Sequence, residues 1–281
     1  MENQEWSSKD MPRVYPTEST ALLVRQRPSG FLSGFDFSVN PYSGCVFQCA
    51  GCYVPDLLFG RAERLGGWGS YVEARVRSAE LLRRRAPLLA GATFFMSPVT
   101  DVYQPAERRF RLTRALLREL LPIPFEWGLL STRSPLVLED LDLLRELEGR
   151  IEVGISVPSD LEEVRRRMDP KNPPVAARLE TARRLKEAGV PVRLHVAPLQ
   201  PHSDDFPRVA GEVADWVWID FPCHPRVARP AYRERGMEEY LSRDWVERQA
   251  ERWQEVLGPE RVGLGQAAFS RRARGALPAG E

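Results

Sequence analysis

The stretch NPYSGCVFQCAGCYVP, residues 40–55, holds three of the four cysteines in a chain of 281 residues. Cys45, Cys49 and Cys52 follow the spacing C-x3-C-x2-C. Four cysteines in a chain of this length do not form a disulfide scaffold, and their clustering is typical of metal or redox chemistry in a reducing compartment. The stretch therefore predicts a metal or redox centre held by a single loop.

Three neighbouring thiols leave two kinds of metal site to compare. A structural zinc site usually has four ligands, often as two C-x2-C pairs, and no histidine lies near these cysteines in the sequence. Three thiolates can hold three corners of a [4Fe–4S] cluster and leave the fourth iron open to a small molecule, whereas a ferredoxin-type cluster takes four cysteines. We therefore expect Cys45, Cys49 and Cys52 to bind a [4Fe–4S] cluster, with structural zinc as the alternative.

The composition is that of a globular protein with a sizeable core, since 43% of the residues are hydrophobic. Basic residues number 40 and acidic residues 39, so the net charge of +1 gives no global reason to expect binding to nucleic acid or to a membrane. The first residues are polar and lack the apolar run of a signal peptide. No stretch approaches the roughly 20 apolar residues of a membrane span. We expect a cytoplasmic protein without a membrane partner.

Short apolar runs alternate with amphipathic segments from residue 35 onward. A repeated strand–helix order predicts parallel strands joined by right-handed crossovers, in fewer units than the eight of a complete barrel. The predicted fold class is α/β: a partial (β/α)6 barrel with parallel strands and a C-terminal helical tail. Strands are predicted at 35–40, 92–99, 125–132, 151–157, 190–199 and 215–221. Helices are predicted at 72–86, 107–120, 135–148, 173–189, 206–214 and 237–258.

The cysteine spacing, in the loop after the first strand of such a series, resembles the radical S-adenosylmethionine (SAM) superfamily. The segments NPYSGC, TDVYQPAERR, STRSPLVLEDLDLL and RLETARRLKEAGVPVRLHVAPL resemble its spore-photoproduct-lyase-related branch. The resemblance implies an N-terminal extension at 1–34, a radical SAM core domain at 35–222 and a C-terminal helical extension at 223–281.

The resemblance also implies a mechanism. SAM would chelate the open iron, and an external one-electron donor of flavodoxin or ferredoxin type would reduce the cluster. Cleavage of SAM would give methionine and a 5′-deoxyadenosyl radical, which abstracts hydrogen from an unknown substrate while the protein supplies orientation and excludes water.

Cofactor-binding residues follow from the same resemblance. Tyr53, directly after the third cysteine, is expected near the adenine. Ser97 and Thr100, at the end of the second strand, are expected near the SAM amino group. Ser156 is a candidate for the ribose or carboxylate, and Arg193 for the carboxylate.

Three residues are candidates for catalysis. Asp101 follows a buried strand at its carboxyl end, where barrel enzymes place their sites, although helix capping is an open alternative. Tyr103 follows on the same side. Cys223, beside His224 after the sixth strand, is expected either to donate hydrogen to a substrate radical or to pack as a small hydrophobic residue.

Two other functions are weighed against a radical SAM enzyme of unknown substrate. A DNA photoproduct lyase, which would bind nucleic acid, is not favoured. The resemblance to spore photoproduct lyase implies a hydrogen-donating cysteine on the strand just before the Thr-Asp pair, and residues 96–99 at that place contain no thiol. A non-catalytic iron–sulfur electron-transfer protein would need a fourth ligand, for which Cys223 and His224 are the candidates.

Overall fold

An eight-stranded sheet is the centre of the fold, in the order β11-β10-β9-β8-β7-β6-β3-β2. The structure is a computed structural model that describes residues 12–30, 32–57, 65–222 and 225–270. Seven of the eight strands run parallel, and β2 pairs antiparallel with β3 at one edge. The strands of this sheet are β2 (Leu23–Arg25), β3 (Phe37–Val39), β6 (Thr93–Met96), β7 (Trp127–Thr132), β8 (Ile151–Ser156), β9 (Val192–Val196), β10 (Trp216–Ile219) and β11 (Val262–Leu264).

The α/β fold with a sheet of parallel strands is confirmed, and each of the six predicted strands is present in a shorter form, half the predicted length in three of them. The sequence prediction missed β11, which adds a seventh parallel strand beside β10. This strand lies within the predicted C-terminal extension, and β2 lies within the predicted N-terminal extension. Both extensions thus contribute strands to the central sheet.

A smaller sheet of three strands was not predicted. It joins β1 (Arg13–Thr17), β5 (Tyr71–Arg75) and β4 (Tyr42–Ser43), with β5 in the middle. The helix predicted over 72–86 is wrong in its first part, because Val72 and Ala74 are buried as members of β5 and the helix begins at Ser78. The two-residue β4 leads directly into the cysteine loop.

Helices cover the outer face of the sheet. The predicted helix 107–120 is interrupted at Arg111, whose φ of 51° is left-handed. The described α-helices are Val54–Leu57, Ser78–Arg85, Glu107–Phe110, Leu112–Leu120, Leu141–Glu146, Glu162–Met168, Val175–Glu187, Phe206–Val213, Pro225–Glu234, Arg243–Leu257 and Gln266–Phe269. Short 3₁₀ helices span Ala86–Leu89, Pro135–Asp140 and Glu238–Leu241. Among the described residues, no helix combines the length and apolar character needed to cross a membrane.

Two apolar layers flank the sheet. The larger core lies between the sheet and the helices, and a second, mainly aromatic cluster lies on the inner face. Successive strand residues point to opposite faces, so each strand supplies both layers. The inner cluster contains Phe35, Phe95, Trp127, Leu129, Trp216, Trp218, Ala268 and Phe269. Because Phe269 comes from the last described helix, the C-terminal segment fills the inside of the partial barrel.

Candidate active site

A cavity of about 180 Å³ opens beside the cysteine loop. This volume has room for on the order of ten water molecules. Parallel strands bring their carboxyl ends to one edge, which is where such folds place ligands. The cavity is lined by residues near or after the ends of five strands: Ser97 to Asp101, Ser131, Arg133, Ser156, Pro158, His195, Ala197, Pro198, Gln200, Trp218 and Asp220 to Pro222. Cys45, Cys49 and Cys52 line the same cavity.

The cysteine loop is held by residues that follow β6. Thr100 Oγ1 and Gln104 Nε2 donate hydrogen bonds to the Gly44 carbonyl at 2.6 and 3.1 Å. Gln104 Oε1 accepts from the Val46 amide at 3.3 Å. Gly44 has a φ of 82°, and a Cβ there would lie 2.4 Å from the Tyr71 carbonyl oxygen, so glycine is required at this turn. The TDVYQ segment thus fixes the start of the loop.

The other side of the loop contacts elements that are distant in sequence. The Ala50 amide donates to Asp169 Oδ1 at 3.0 Å, and Asn172 Nδ2 lies 3.7 Å from Cys49 Sγ. The helix Pro225–Glu234 also covers the loop, because a Cβ at Gly51 would lie 3.4 Å from the Ala228 Cβ. These contacts position the central part of the loop.

The three thiols are free and line one cavity. Burial raises the pKa of Cys45 to about 12, with smaller contributions from Cys49 and Asp101. Burial also raises the pKa of Cys49 and of Cys52, and the neighbouring cysteines add to the rise at Cys52. The thiols therefore carry protons at neutral pH, and metal binding would release them.

The donor set fits a sulfur-ligated iron cluster. No disulfide joins the three cysteines, and they influence one another's ionisation within one cavity. Within the described part of the chain, no three His, Cys, Asp or Glu side chains are already arranged as a metal site. The loop therefore supplies three neighbouring sulfur donors that a cluster would draw together on binding.

Arg133 brings a positive charge to the cavity wall. Its Nε is buried without a hydrogen-bond partner among the described residues. Burial lowers the pKa of Arg133, but the charges of Cys49, Asp169 and Asp101 outweigh this effect and raise it overall. The guanidinium therefore stays charged and available to an anionic ligand.

Asp101 organises this part of the wall. Its carboxylate accepts hydrogen bonds from Thr132 Oγ1 at 2.7 Å, from the Arg133 amide at 2.8 Å and from the Tyr103 amide at 2.9 Å. Burial raises the pKa of Asp101, while these hydrogen bonds and the charge of Arg133 lower it. Asp101 thus connects the ends of β6 and β7.

The predicted cofactor-binding residues Tyr53, Ser97, Thr100 and Ser156 line the same cavity as the cysteines, as does the predicted catalytic residue Asp101. Tyr53 donates a hydrogen bond to the Pro98 carbonyl, and Ser97 donates one to the Thr100 carbonyl. Ser97 has a left-handed φ of 89°, which turns the chain sharply after β6. The structure therefore brings these five residues together around one space.

Two predicted site residues lie elsewhere, which corrects their assignment. Tyr103 is buried away from the cavity lining, and its hydroxyl donates to Asp140 Oδ2 at 3.0 Å. Arg193 is fully buried below the cavity, where its Nε donates to Glu152 Oε1 at 2.6 Å. Arg193 is therefore not positioned to meet a SAM carboxylate. The third, Cys223, lies outside the described residues.

Sequence reasoning also missed site residues. Asp169 lies in the cavity lining, and Asn172 contacts Cys49, yet both come from a loop after the helix Glu162–Met168. His195, in β9, also lines the cavity. The alternation of β9 could have indicated this, because His195 and Arg193 must share one face of the strand.

Comparisons with known proteins agree with this arrangement. A family model described as the radical SAM superfamily matches residues 39–210. An uncharacterized protein of Methanocaldococcus jannaschii is 28% identical over 181 residues, covering 64% of this chain and 67% of the relative. An uncharacterized protein of Acidianus two-tailed virus is 30% identical over 221 residues, which cover 73% of this chain and 70% of the relative.

Among solved structures, a spore photoproduct lyase mutant with bound AdoMet and dinucleoside spore photoproduct has a similar fold. Its TM-score is 0.61 at 14% sequence identity, and the match covers 89% of this chain and 80% of that chain. At this identity the likeness concerns the fold.

Proposed function

This chain belongs to the radical SAM superfamily, and we propose that it is an enzyme that cleaves SAM reductively to abstract hydrogen from a substrate. The observation that carries the proposal is the presence of three free thiols in one cavity at the carboxyl ends of the parallel strands. When bound, a [4Fe–4S] cluster supplies one electron that breaks the sulfonium C–S bond, which yields methionine and a 5′-deoxyadenosyl radical able to take a hydrogen atom.

Cys45, Cys49 and Cys52 would hold the cluster. Their loop is fixed at its start by Thr100 and Gln104 and in its middle by Asp169. Such supporting contacts keep ligands in the geometry that the metal requires. With three protein ligands, a bound cluster would have one iron open to SAM.

Arg133 replaces Arg193 as the residue proposed for the SAM carboxylate. It lines the cavity, and its Nε has no partner among the described residues, which supports this role. Asp101 holds the Arg133 backbone and so positions the guanidinium. Ser97 and Thr100 are proposed for the amino group, Ser156 for the ribose and Tyr53 for the adenine.

The substrate would enter from the carboxyl edge of the sheet. The opposite end of the barrel is filled by Phe269 and by the buried pair of Arg193 and Glu152. A closed base keeps bulk water away from a reactive radical. The reaction also requires an external one-electron donor, which we propose to be a flavodoxin or ferredoxin.

The proposal is tested by reconstituting the chain with iron and sulfide without oxygen, and then adding dithionite and SAM. Formation of 5′-deoxyadenosine and methionine supports it. A cluster ligated by four protein side chains, with no SAM cleavage, would instead indicate an electron-transfer protein. A duplex with ultraviolet lesions in the same assay tests for DNA repair, which we expect to be absent.

A further inference from the structure

The inner end of the cavity contains a histidine with an unused hydrogen-bonding atom. His195 is 4% exposed and lines the cavity, and its Nε2 has no partner among the residues that the structure describes. A buried polar atom left without a partner costs about 1–3 kcal/mol. A ligand that reaches this depth can recover that free energy by pairing with Nε2.

The orientation of His195 is fixed from several sides. Its Nδ1 lies 3.1 Å from Ser131 Oγ. Its ring meets Trp218 edge-on, with centroids 5.3 Å apart, and meets Phe269 at 5.7 Å. A Cβ at Gly154 would lie 2.5 Å from Nε2 of the ring, so the absence of a side chain there makes room for the imidazole. The histidine is therefore held rigidly.

Arg193, the cation nearest to His195 along β9, is already paired with Glu152 and so does not offer itself to an anionic ligand. Burial, together with the cations of Arg193 and Arg133, lowers the pKa of His195 well below its ordinary value, so the imidazole is neutral. Asp220, which follows β10, adds a carboxyl group to the cavity lining, and burial raises the pKa of this carboxyl to about 6, so it is mostly ionised at neutral pH. Arg133, whose Nε has no partner among the described residues, interacts with Cys49. The neutral imidazole and the Asp220 carboxylate therefore favour an uncharged ligand over an anionic one beside His195.

The inner walls are aromatic. Phe95, Trp218 and Phe269 line the cavity beside His195, and Phe95 packs against Phe269 at 5.1 Å. Aromatic walls favour a flat ring between them. The Ser131 hydroxyl can donate to Nδ1 or accept from it, so Nε2 can present either a proton or a lone pair. An amide offers both a carbonyl and an N–H and suits either tautomer.

We propose that the inner end of the cavity is a subsite for an uncharged planar group with an amide or ring-nitrogen edge, which binds Nε2 of His195 between Trp218 and Phe95. This proposal rests on the proposed function, since it names the chemical class of the substrate for the same site. His195, held by Ser131, hydrogen-bonds to the polar edge of the ring, and the aromatic side chains pack against its flat faces.

The test uses three probes of one shape: benzamide, benzoate and toluene. Binding is followed on the cluster-free chain through the indole N–H signal of Trp218 in NMR spectra, assigned with Trp218→Phe. This N–H donates to the Gly265 carbonyl at 2.9 Å, which protects it from exchange. We expect saturable binding of benzamide, at least tenfold tighter than that of benzoate.

His195→Phe keeps the ring and removes Nε2. We expect at least a tenfold loss of benzamide affinity and no loss for toluene. The matched control is His202→Phe, because His202 is a partly buried histidine that packs against Trp253 but does not line the cavity. Ser131→Ala is a smaller change and should also lower the affinity for benzamide. It serves as the test if His195→Phe does not fold.

Three results would overturn the subsite. They are benzoate binding as tightly as benzamide, unchanged benzamide affinity in both His195→Phe and Ser131→Ala, and no benzamide binding up to its solubility. Because the cluster-free chain is used, these results are independent of SAM cleavage. Binding as expected in a protein that never cleaves SAM would remove the radical function and leave the subsite.

Discussion

Arg193 and Glu152 form a bidentate ion pair inside the barrel, with Nε 2.6 Å from Oε1 and Nη2 3.0 Å from Oε2. Both side chains are almost completely buried. Arg193 also donates from Nη1 to the Phe269 carbonyl at 2.6 Å, and its guanidinium lies 4.2 Å from the centre of a Trp216 ring. The pair therefore ties two strands and the C-terminal segment together below the cavity.

Arg193→Met should destabilise the protein strongly, because it leaves the Glu152 carboxylate buried without its partner. We expect a loss of about 3–5 kcal/mol in the free energy of unfolding, measured with urea. The double variant Arg193→Met/Glu152→Leu should recover most of this loss. Arg183→Met, which removes exposed pairs with Glu180 and Glu187, should change stability by less than about 1 kcal/mol. Equal effects of the two single variants would contradict the account.

Gly154→Ala tests how closely His195 is packed. The added methyl would lie 2.5 Å from the imidazole, which must move or strain the strand. We expect a loss of about 1–3 kcal/mol, measured by thermal or urea unfolding. The double variant Gly154→Ala/His195→Ala removes the clash. Its loss in the free energy of unfolding should be smaller than the sum of the losses in the two single variants. Strict additivity would show that the two residues do not contact.

Glu107 should make stability depend on pH. Burial raises its pKa from 4.5 to about 7, although Tyr42 and the amides of Thr113 and Arg114 donate hydrogen bonds to it. The pKa of Glu107 is higher in the folded chain than in the unfolded chain. Its contribution to the free energy of unfolding is therefore fully present below pH 4.5 and is lost as pH rises through 7.

Glu107→Gln imitates the protonated side chain at every pH. Its unfolding free energy, relative to that of the natural chain, should therefore increase by on the order of 2 kcal/mol between pH 5 and 8. Urea unfolding at four pH values measures the difference. A difference that stays constant, or that falls as pH rises, would contradict the assigned direction.

Arg133→Gln should weaken SAM binding to the reconstituted protein. A hydrogen bond to a charged group contributes about 1.5–3 kcal/mol, so the dissociation constant should rise by roughly 10- to 100-fold. Equilibrium dialysis with labelled SAM measures the change. Arg145→Gln, an exposed arginine on the helix Leu141–Glu146, is the control and should have no effect. Unchanged affinity in Arg133→Gln would remove this residue from the site.

The central strands were predictable because each is a short apolar run between amphipathic segments. β5 was not, because its residues continue without a break into an arginine-rich helix, and its burial depends on pairing with β1 and β4. β11 has three residues, too few to show a pattern. Its place is set by β10, whose Trp216 fills the space beside Gly263.

The site was predictable where strand ends and cysteine spacing define it. Arg193 was assigned to the SAM carboxylate in error, because the position of a residue along its strand decides how deep inside the barrel its side chain lies. Arg193 lies two residues before His195 and therefore below the cavity. Asp169 and Asn172 could not be found from local sequence, since their contacts with the cysteine loop join residues more than 100 positions apart.

The proposed function depends on Cys45, Cys49 and Cys52 as the protein ligands of a cluster that would leave one iron open to SAM. The most direct measurement compares iron content and 5′-deoxyadenosine formation in Cys49→Ala and Cys223→Ala after identical oxygen-free reconstitution. The account predicts that Cys49→Ala loses both iron and SAM cleavage, whereas Cys223→Ala keeps both. Cleavage retained by Cys49→Ala, or iron lost from Cys223→Ala, would contradict it.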